Sequence, residues 1–170
     1  MQELCPKKTL KRIGKAFEKY DPYWFEEPVW TEDLLGSAKV AKALTTPVAA
    51  GELEYTRYGF RDLIDSQAVD IVQPDAEVVG GVSEWLKVAA LASAYHMTVA
   101  PHWAQEVHVH LAAAVDNSTW IEWFERNNDI RKEDELYETS VIPQDGFAIP
   151  SSEPGFGIKL NEEAISRFKI

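Results

Sequence analysis

The sequence alternates helical stretches with short apolar runs, and this alternation constrains the fold more than any other feature. Helical segments such as TLKRIGKAFEKY and TEDLLGSAKVAKAL precede short runs such as YWFE and PVAAGE, and the pattern repeats three more times, ending at TWIEWF. The apolar runs are continuous rather than alternating, as in strands that are covered on both faces. The pattern therefore predicts an α/β fold with parallel strands covered by helices.

Each predicted strand ends in an ionisable residue, and these residues recur at nearly constant spacing. They are Glu26, Glu52, Asp75, His102 and Glu122, at intervals of 26, 23, 27 and 20 residues. In a (β/α) barrel the carboxyl ends of the strands meet on one face, so this spacing predicts four carboxylates and an imidazole around one pocket. For any single residue of the five, a strand end solvated by loops is the alternative.

The stretch YWFEEPVW places two adjacent glutamates after an aromatic run. Because successive side chains of a strand point to opposite faces, one of the two has to face inward, where a lone charge is costly. We expect Glu26 to point into a polar site. Glu27 is interpreted as a residue that supports a ligand or forms a salt bridge.

Composition limits the partners and the compartment. The 170 residues carry a formal net charge of −11, which disfavours nucleic acids and anionic membranes as partners. The first residues contain no apolar run of signal-peptide length, and no stretch reaches the roughly 20 apolar residues that a bilayer span needs. Cys5 is the single cysteine, which leaves no internal disulfide and indicates the cytoplasm.

The strand and helix rhythm stops after Phe124. We expect residues 1–128 to form a partial (β/α) barrel that carries the strand-end residues. Residues 129–170 are rich in Pro, Gly and charge, and we expect them to form a segment that packs on the barrel or on a further domain. This segment is predicted to contain a short hairpin and a last helix capped by Asn161.

The sequence resembles the mandelate racemase subgroup of the enolase superfamily. The residues that carry the resemblance are WFEEP, AAGE, VDIVQPDAEVVGGVSEWLKVAALA, VAPH and TWIEWF, and together they run over nearly the whole chain. Within the subgroup, APHWAQEVHVHLAAAV followed by WIEWF looks most like the acid-sugar dehydratases, especially those acting on talarate or galactarate. The resemblance implies the C-terminal portion of a (β/α)8-type TIM barrel, without its first strands and its N-terminal capping domain.

The resemblance also implies a role for each strand-end residue. Glu26 and Glu52 would be ligands of Mg²⁺, which prefers hard oxygen ligands. His102 would be the general base, with Asp75 as its hydrogen-bonding partner. Glu122 would donate a hydrogen bond to the substrate carboxylate. The implied reaction removes the proton α to the carboxylate of an acid sugar, and loss of the β-hydroxyl then gives a 2-keto-3-deoxy acid.

Two residues next to the strand ends, Trp103 and Arg57, are candidate contacts for a substrate. Trp103 could form a wall of the pocket, and Arg57 could reach a substrate, although a solvated helix start also explains the position of Arg57.

His108 and His110 are two positions apart on a predicted helix and face different directions. They therefore cannot close a zinc site together with His102.

The resemblance is incomplete at the start of the chain. A first metal ligand, an aspartate, would lie 26 residues before Glu26, one position before Met1. A barrel of this type needs about 250 residues and eight strands, so the isolated chain is expected to be inactive, and the full-length protein is expected to be a homo-oligomer. A racemase or epimerase of a 2-hydroxy acid, or a non-catalytic remnant, are the alternative functions.

Overall fold

The computed structural model describes residues 7–118, 120–126, 128, 130–139 and 141–169. Four short strands alternate with helices along the first two thirds of the chain. The strands are β1 (Phe25–Glu26), β2 (Val48–Ala50), β3 (Ile71–Val72) and β4 (Thr98–Val99). The helices are α1 (Lys7–Phe17), α2 (Leu34–Ala41), α3 (Thr56–Asp65), α4 (Val82–Ala94), α5 (Gln105–Ala113) and α6 (Glu162–Phe168), with 3₁₀ turns at Glu18–Tyr20 and Glu133–Leu136.

All strand pairs in the sheet are parallel, and the spatial order is β1-β2-β3-β4. Sequential parallel neighbours, each pair joined by a helix, are the arrangement of one arc of a (β/α) barrel. The predicted α/β fold and its character as a portion of a barrel are confirmed. Because the strands run in the same direction, their carboxyl ends lie along one edge of the sheet.

The two faces of the sheet are covered differently. The outer face, with Val48, Val72 and Val99, packs against the helices in the main core, where Phe60 and Trp85 are fully buried. The inner face has a smaller apolar cluster of four residues, Trp24, Ala49, Ile71 and Ala100. Glu26, Gln73 and His102, each two positions after a member of this cluster, therefore emerge at the carboxyl edge on this inner face.

The prediction of a fifth strand at TWIEWF is largely wrong. Ser118 forms an isolated parallel bridge with Val99, but residues 120–124 have no strand assignment, and residue 119 lies outside the described residues. A weak hydrogen bond of 3.4 Å from the Glu122 N–H to the Pro101 carbonyl still holds this segment beside the end of β4. Glu122 therefore lies near the other strand ends, although the pairing of this segment with β4 consists of the one bridge at Ser118.

The C-terminal segment packs against α5. Arg131, whose side chain is 1% exposed, forms an ion pair of 2.9 Å with Glu106 of that helix. The expected hairpin is a single antiparallel bridge between Gln144 and Phe147, and the Asn161 side chain caps α6 by accepting the Ala164 N–H. Within the described ranges, the helices are all too short or too polar to cross a bilayer.

Candidate active site

His102 and Asp75 form a hydrogen-bonded dyad at the carboxyl edge of the sheet. Each lies three residues beyond the last residue of its strand, β4 and β3 respectively. Nδ1 of His102 is 3.0 Å from Oδ2 of Asp75, and the other carboxylate oxygen of Asp75 accepts the Glu77 N–H at 2.7 Å. Asp75 is buried, so its carboxylate is fixed and sets the orientation of the imidazole.

The other ring nitrogen of His102 faces two carboxylates. Nε2 lies 3.5 Å from Oε2 of Glu52 and 3.8 Å from Oε2 of Glu122. The same oxygen of Glu122 accepts the backbone N–H of Trp103 at 2.7 Å. Glu52, which follows β2, and Glu122, from the segment after α5, thus meet around the imidazole that follows β4, as the strand-end spacing predicts.

Glu26 is held on the inner face of the sheet by two residues that the sequence analysis missed. Its Oε2 accepts a hydrogen bond from Nε1 of Trp24 at 2.9 Å and from Nε2 of Gln73 at 2.8 Å. Trp24 lies two residues before Glu26, and Gln73 two residues before Asp75. Side chains two positions apart on a strand point to the same face, which places Trp24 and Gln73 on the inner face. This two-residue repeat is the sequence signal that could have identified both residues.

Glu27 lies beside the other carboxylates in an unusual backbone conformation. Its φ is 37°, in the left-handed region, and its Oε1 lies 3.5 Å from the N–H of Gly51. Burial raises the pKa of Glu27, and the neighbouring charge of Glu52 raises it further. Glu27 thus contacts the residue that precedes Glu52, and its supporting role stays a prediction.

The site has an excess of negative charge. Burial raises the pKa of Glu52, and the charges of Glu26 and Glu122 add to this while that of His102 opposes it. Burial alone would lower the pKa of His102, but the hydrogen bond to Asp75 and the charges of Glu52 and Glu122 outweigh it, so the pKa is raised. Such mutual repulsion among carboxylates favours a bound cation.

Glu26 and Glu52 fit a magnesium ion in chemistry and in number. Both carboxylates are hard oxygen donors, and Mg²⁺ in proteins is usually bound by one or two carboxylates together with water or substrate. Across the parts of the chain that the structure describes, no three His, Cys, Asp or Glu residues are grouped so that they alone could hold a metal. A role of Glu26 and Glu52 as metal ligands stays a prediction.

The structure places Trp103 next to the dyad. Its ring stacks on that of His102 with centroids 5.8 Å apart, and on its other sides lie the Phe124 ring and the guanidinium of Arg131. Trp103 thus lies directly beside His102, and a contact between its ring and a substrate stays a prediction.

Arg57 is not brought into this cluster. Its guanidinium forms an ion pair with Glu84 at 2.8 Å, which joins the start of α3 to α4. The two other histidines near His102 have separate partners. His108 is fully buried, while His110 contacts Phe156 of the C-terminal segment.

The parallel strands, the histidine and aspartate dyad and the adjacent acidic side chains together define a portion of a (β/α) barrel with ionisable side chains gathered at the strand ends. Residues 4–164 match the family model described as "Enolase C-terminal domain-like". The chain belongs to this family.

Comparisons with individual proteins agree with that assignment. The chain is 39% identical to an L-talarate/galactarate dehydratase of Salmonella typhimurium over 93% of its length, and 34% identical to an arabinonate dehydratase of Saccharolobus solfataricus over 92%. A crystal structure of L-talarate dehydratase from Polaromonas sp. JS666, complexed with Mg and L-glucarate, superposes with a TM-score of 0.85 at 34% identity and covers 95% of the chain. The chain spans only 38%, 43% and 44% of these three proteins, respectively.

Proposed function

We propose that this chain supplies the base and part of the metal site of an Mg²⁺-dependent acid-sugar dehydratase. One observation carries the proposal: His102 is hydrogen-bonded to Asp75 through Nδ1 and faces Glu52 and Glu122 with Nε2. A carboxylate on Nδ1 keeps the ring proton there, so Nε2 is left as an acceptor. The relatives named above as dehydratases of acid sugars support the class of substrate.

Different residues of the chain would carry out the proton transfer and the metal binding. Nε2 of His102 takes the proton α to the substrate carboxylate, and Asp75 stabilises the imidazolium that results. Glu26 and Glu52 would hold the magnesium ion. When bound, this ion supplies positive charge beside the negative charge that develops on the substrate carboxylate. Protonated His102 can then return the proton to the departing β-hydroxyl, which leaves as water.

Glu122 and Trp103 would shape the site around the substrate. The backbone N–H of Trp103 fixes one carboxylate oxygen of Glu122 at 2.7 Å, so the carboxyl group has a defined orientation beside His102. In its protonated form Glu122 could donate a hydrogen bond to the substrate carboxylate as charge develops there. The stacked ring of Trp103 would keep water away from one side of the imidazole.

The proposal is tested by following the substrate α-proton in D₂O. The complete protein is incubated with Mg²⁺ and galactarate, and ¹H NMR measures both the α-proton signal and 2-keto-3-deoxy product. His102→Asn should stop exchange while Mg²⁺ affinity measured by calorimetry is retained. His96→Asn is the matched control, because His96 is exposed, has a left-handed φ of 59° that Asn tolerates, and should leave exchange unchanged.

Three outcomes distinguish the alternatives. Exchange at the wild-type rate in His102→Asn would mean that another group is the base. Inversion at the α-carbon without loss of water would assign a racemase or epimerase instead. If no acid sugar in a panel of aldarates and aldonates exchanged its α-proton with the wild-type protein, the dehydratase proposal would be refuted.

A further inference from the structure

We infer that His108 is a positioning residue for the His102 and Asp75 dyad, an inference that rests on the proposed function. His108 lies on α5, and its side chain is fully buried. Its Nε2 accepts the backbone N–H of Ala76 at 3.0 Å, and its Nδ1 lies 2.9 Å from the carbonyl oxygen of Trp103. One imidazole thus joins the two segments that carry the dyad, at the residue after Asp75 and the residue after His102.

The two partners define one protonation state for this imidazole. A backbone N–H can only donate, so Nε2 has to accept, and a carbonyl can only accept, so Nδ1 has to carry the proton. The neutral ring with its proton on Nδ1 satisfies both bonds, whereas the imidazolium would set its Nε2–H against the Ala76 N–H. Burial agrees with this, since it lowers the pKa of His108.

The segment after His102 needs such a restraint because its backbone is strained. Trp103 and Ala104 have φ values of 57° and 30°, in or near the left-handed region that side chains other than glycine rarely adopt. The Trp103 N–H is held by Glu122, and its carbonyl by His108. With both groups of this residue fixed, the turn that orients the His102 ring keeps a single geometry.

The segment after Asp75 is restrained at the same point. The Val79 N–H donates to the Asp75 carbonyl at 2.7 Å, and the Glu77 N–H donates to the Asp75 carboxylate. Within this tight turn the Ala76 N–H points to His108 instead. Loss of the imidazole would leave the Ala76 N–H and the Trp103 carbonyl without these partners. It would also remove one link between the two segments, which the dyad hydrogen bond and the β3–β4 pairing join as well.

A role limited to filling the core predicts something different. The His108 ring lies 6.3 Å from the Trp85 ring, so an apolar side chain of similar size could occupy the space. If packing were the whole role, His108→Leu would retain the chemistry once the protein had folded. If His108 positions the dyad, the same variant should bind substrate and metal but turn over slowly.

The experiment compares His108→Leu, His108→Gln and the control His110→Gln in the full polypeptide loaded with Mg²⁺. His110 is a matched control because it lies two residues away on α5 and, among the described residues, contacts the carbonyl (3.2 Å) and the ring of Phe156, outside the dyad. We expect His108→Leu to lower the rate of α-proton exchange at saturating galactarate by about 10²-fold, the loss typical of a misplacement of about 1 Å. KM and Mg²⁺ affinity should change little, His108→Gln should recover part of the rate, and His110→Gln should match the wild type.

Several results would overturn the inference. Exchange at the wild-type rate in His108→Leu, or a loss confined to KM, would leave His108 as a packing residue. If His108→Leu did not fold, the test would rest on His108→Gln. An exchange rate in that variant equal to that of His110→Gln would likewise leave His108 as a packing residue. If the wild type exchanged no acid sugar, the proposed function would fail separately, and ¹⁵N NMR of the imidazoles would decide: His102 signals unchanged by His108→Gln would refute the positioning role.

Discussion

Removing the charge of Asp75 while keeping its shape should move a proton to the wrong nitrogen of His102. In Asp75→Asn the amide oxygen can still accept the Glu77 N–H, which lies 2.7 Å from the carboxylate in the structure. The NH₂ group then faces Nδ1 of His102, so this nitrogen has to accept, and the ring proton moves to Nε2. Nε2 is the nitrogen that faces Glu52 and Glu122, and once protonated it cannot take a proton from the substrate.

The separation of the two groups sets the size of the effect. Unit charges 3.0 Å apart, as Asp75 and His102 are, attract by about 5.5 kcal/mol at an effective dielectric constant of about 20. Since about 1.4 kcal/mol corresponds to a tenfold change in rate, the largest loss is about 10⁴-fold. The His102 side chain is 22% exposed, and solvent screening reduces this value. We therefore expect a loss of about 10³-fold, within the usual contribution of a general base.

The assay is the initial rate of α-proton exchange of galactarate in D₂O, measured with Mg²⁺ at saturating substrate. Mg²⁺ affinity, measured by calorimetry on the same samples, should change far less than the exchange rate. Among the described residues Asp75 has no hydrogen bond to Glu26 or Glu52, and it acts on Glu52 through its charge. A loss of less than about tenfold would refute the reasoning, since general-base catalysis is usually worth at least 10²-fold. A rate loss that disappears at high Mg²⁺ would instead assign Asp75 to the metal site.

Three further predictions concern the acidic residues and the backbone that presents them. Glu52→Gln should weaken Mg²⁺ binding because it removes one of the two hard anionic ligands that this chain would supply, and an unchanged calorimetric affinity would contradict that proposed role. The pKa of His102, raised despite its burial by Asp75 and the other carboxylates, should fall when Mg²⁺ is added, because the cation offsets their charge and disfavours imidazolium; an NMR titration that shows no decrease would argue against a metal beside His102. Gly51→Ala should lower the free energy of unfolding by about 1–3 kcal/mol or more, because φ is 131° and the new Cβ would lie 2.6 Å from the Phe60 ring. Gly155→Ala, at φ 68° with nothing within 4 Å, is its control in thermal denaturation, and an equal cost in both variants would exclude the steric contribution at Phe60.

Much of the fold followed from local pattern, because each strand and helix is specified by its own stretch of sequence. Continuous apolar runs such as VDIVQPD mark strands buried on both faces, and the parallel order β1-β2-β3-β4 agrees with that interpretation. The fifth strand was overestimated for a physical reason. TWIEWF has the composition of a strand, but β4 is its neighbour on one side and supplies few hydrogen bonds. Within the described residues, the pairing with β4 consists of the bridge at Ser118.

The site was predictable where it depended on strand ends, and less so where it depended on turns. The regular spacing of the strand-end residues predicted that His102, Asp75 and Glu122 lie close together, although no contact between them was known. The left-handed conformations of Glu27 and Trp103 could not be predicted, because neither residue type favours positive φ and tertiary contacts impose it. The role inferred for His108 was also hidden, since its partners are backbone groups, which have no signature in sequence.

The strand-end arrangement also has a consequence for the order of events in folding. His102, Asp75, Glu52 and Glu26 each belong to a different strand and helix unit, separated by 23 to 27 residues, so no local turn can bring any two of them together. Parallel pairing requires these long loops to close before the contacts form, which makes such sheets slow to assemble. After dilution from denaturant, helical circular dichroism should therefore recover before the His102–Asp75 hydrogen bond. Partly folded molecules would already contain helices but would not yet have a base.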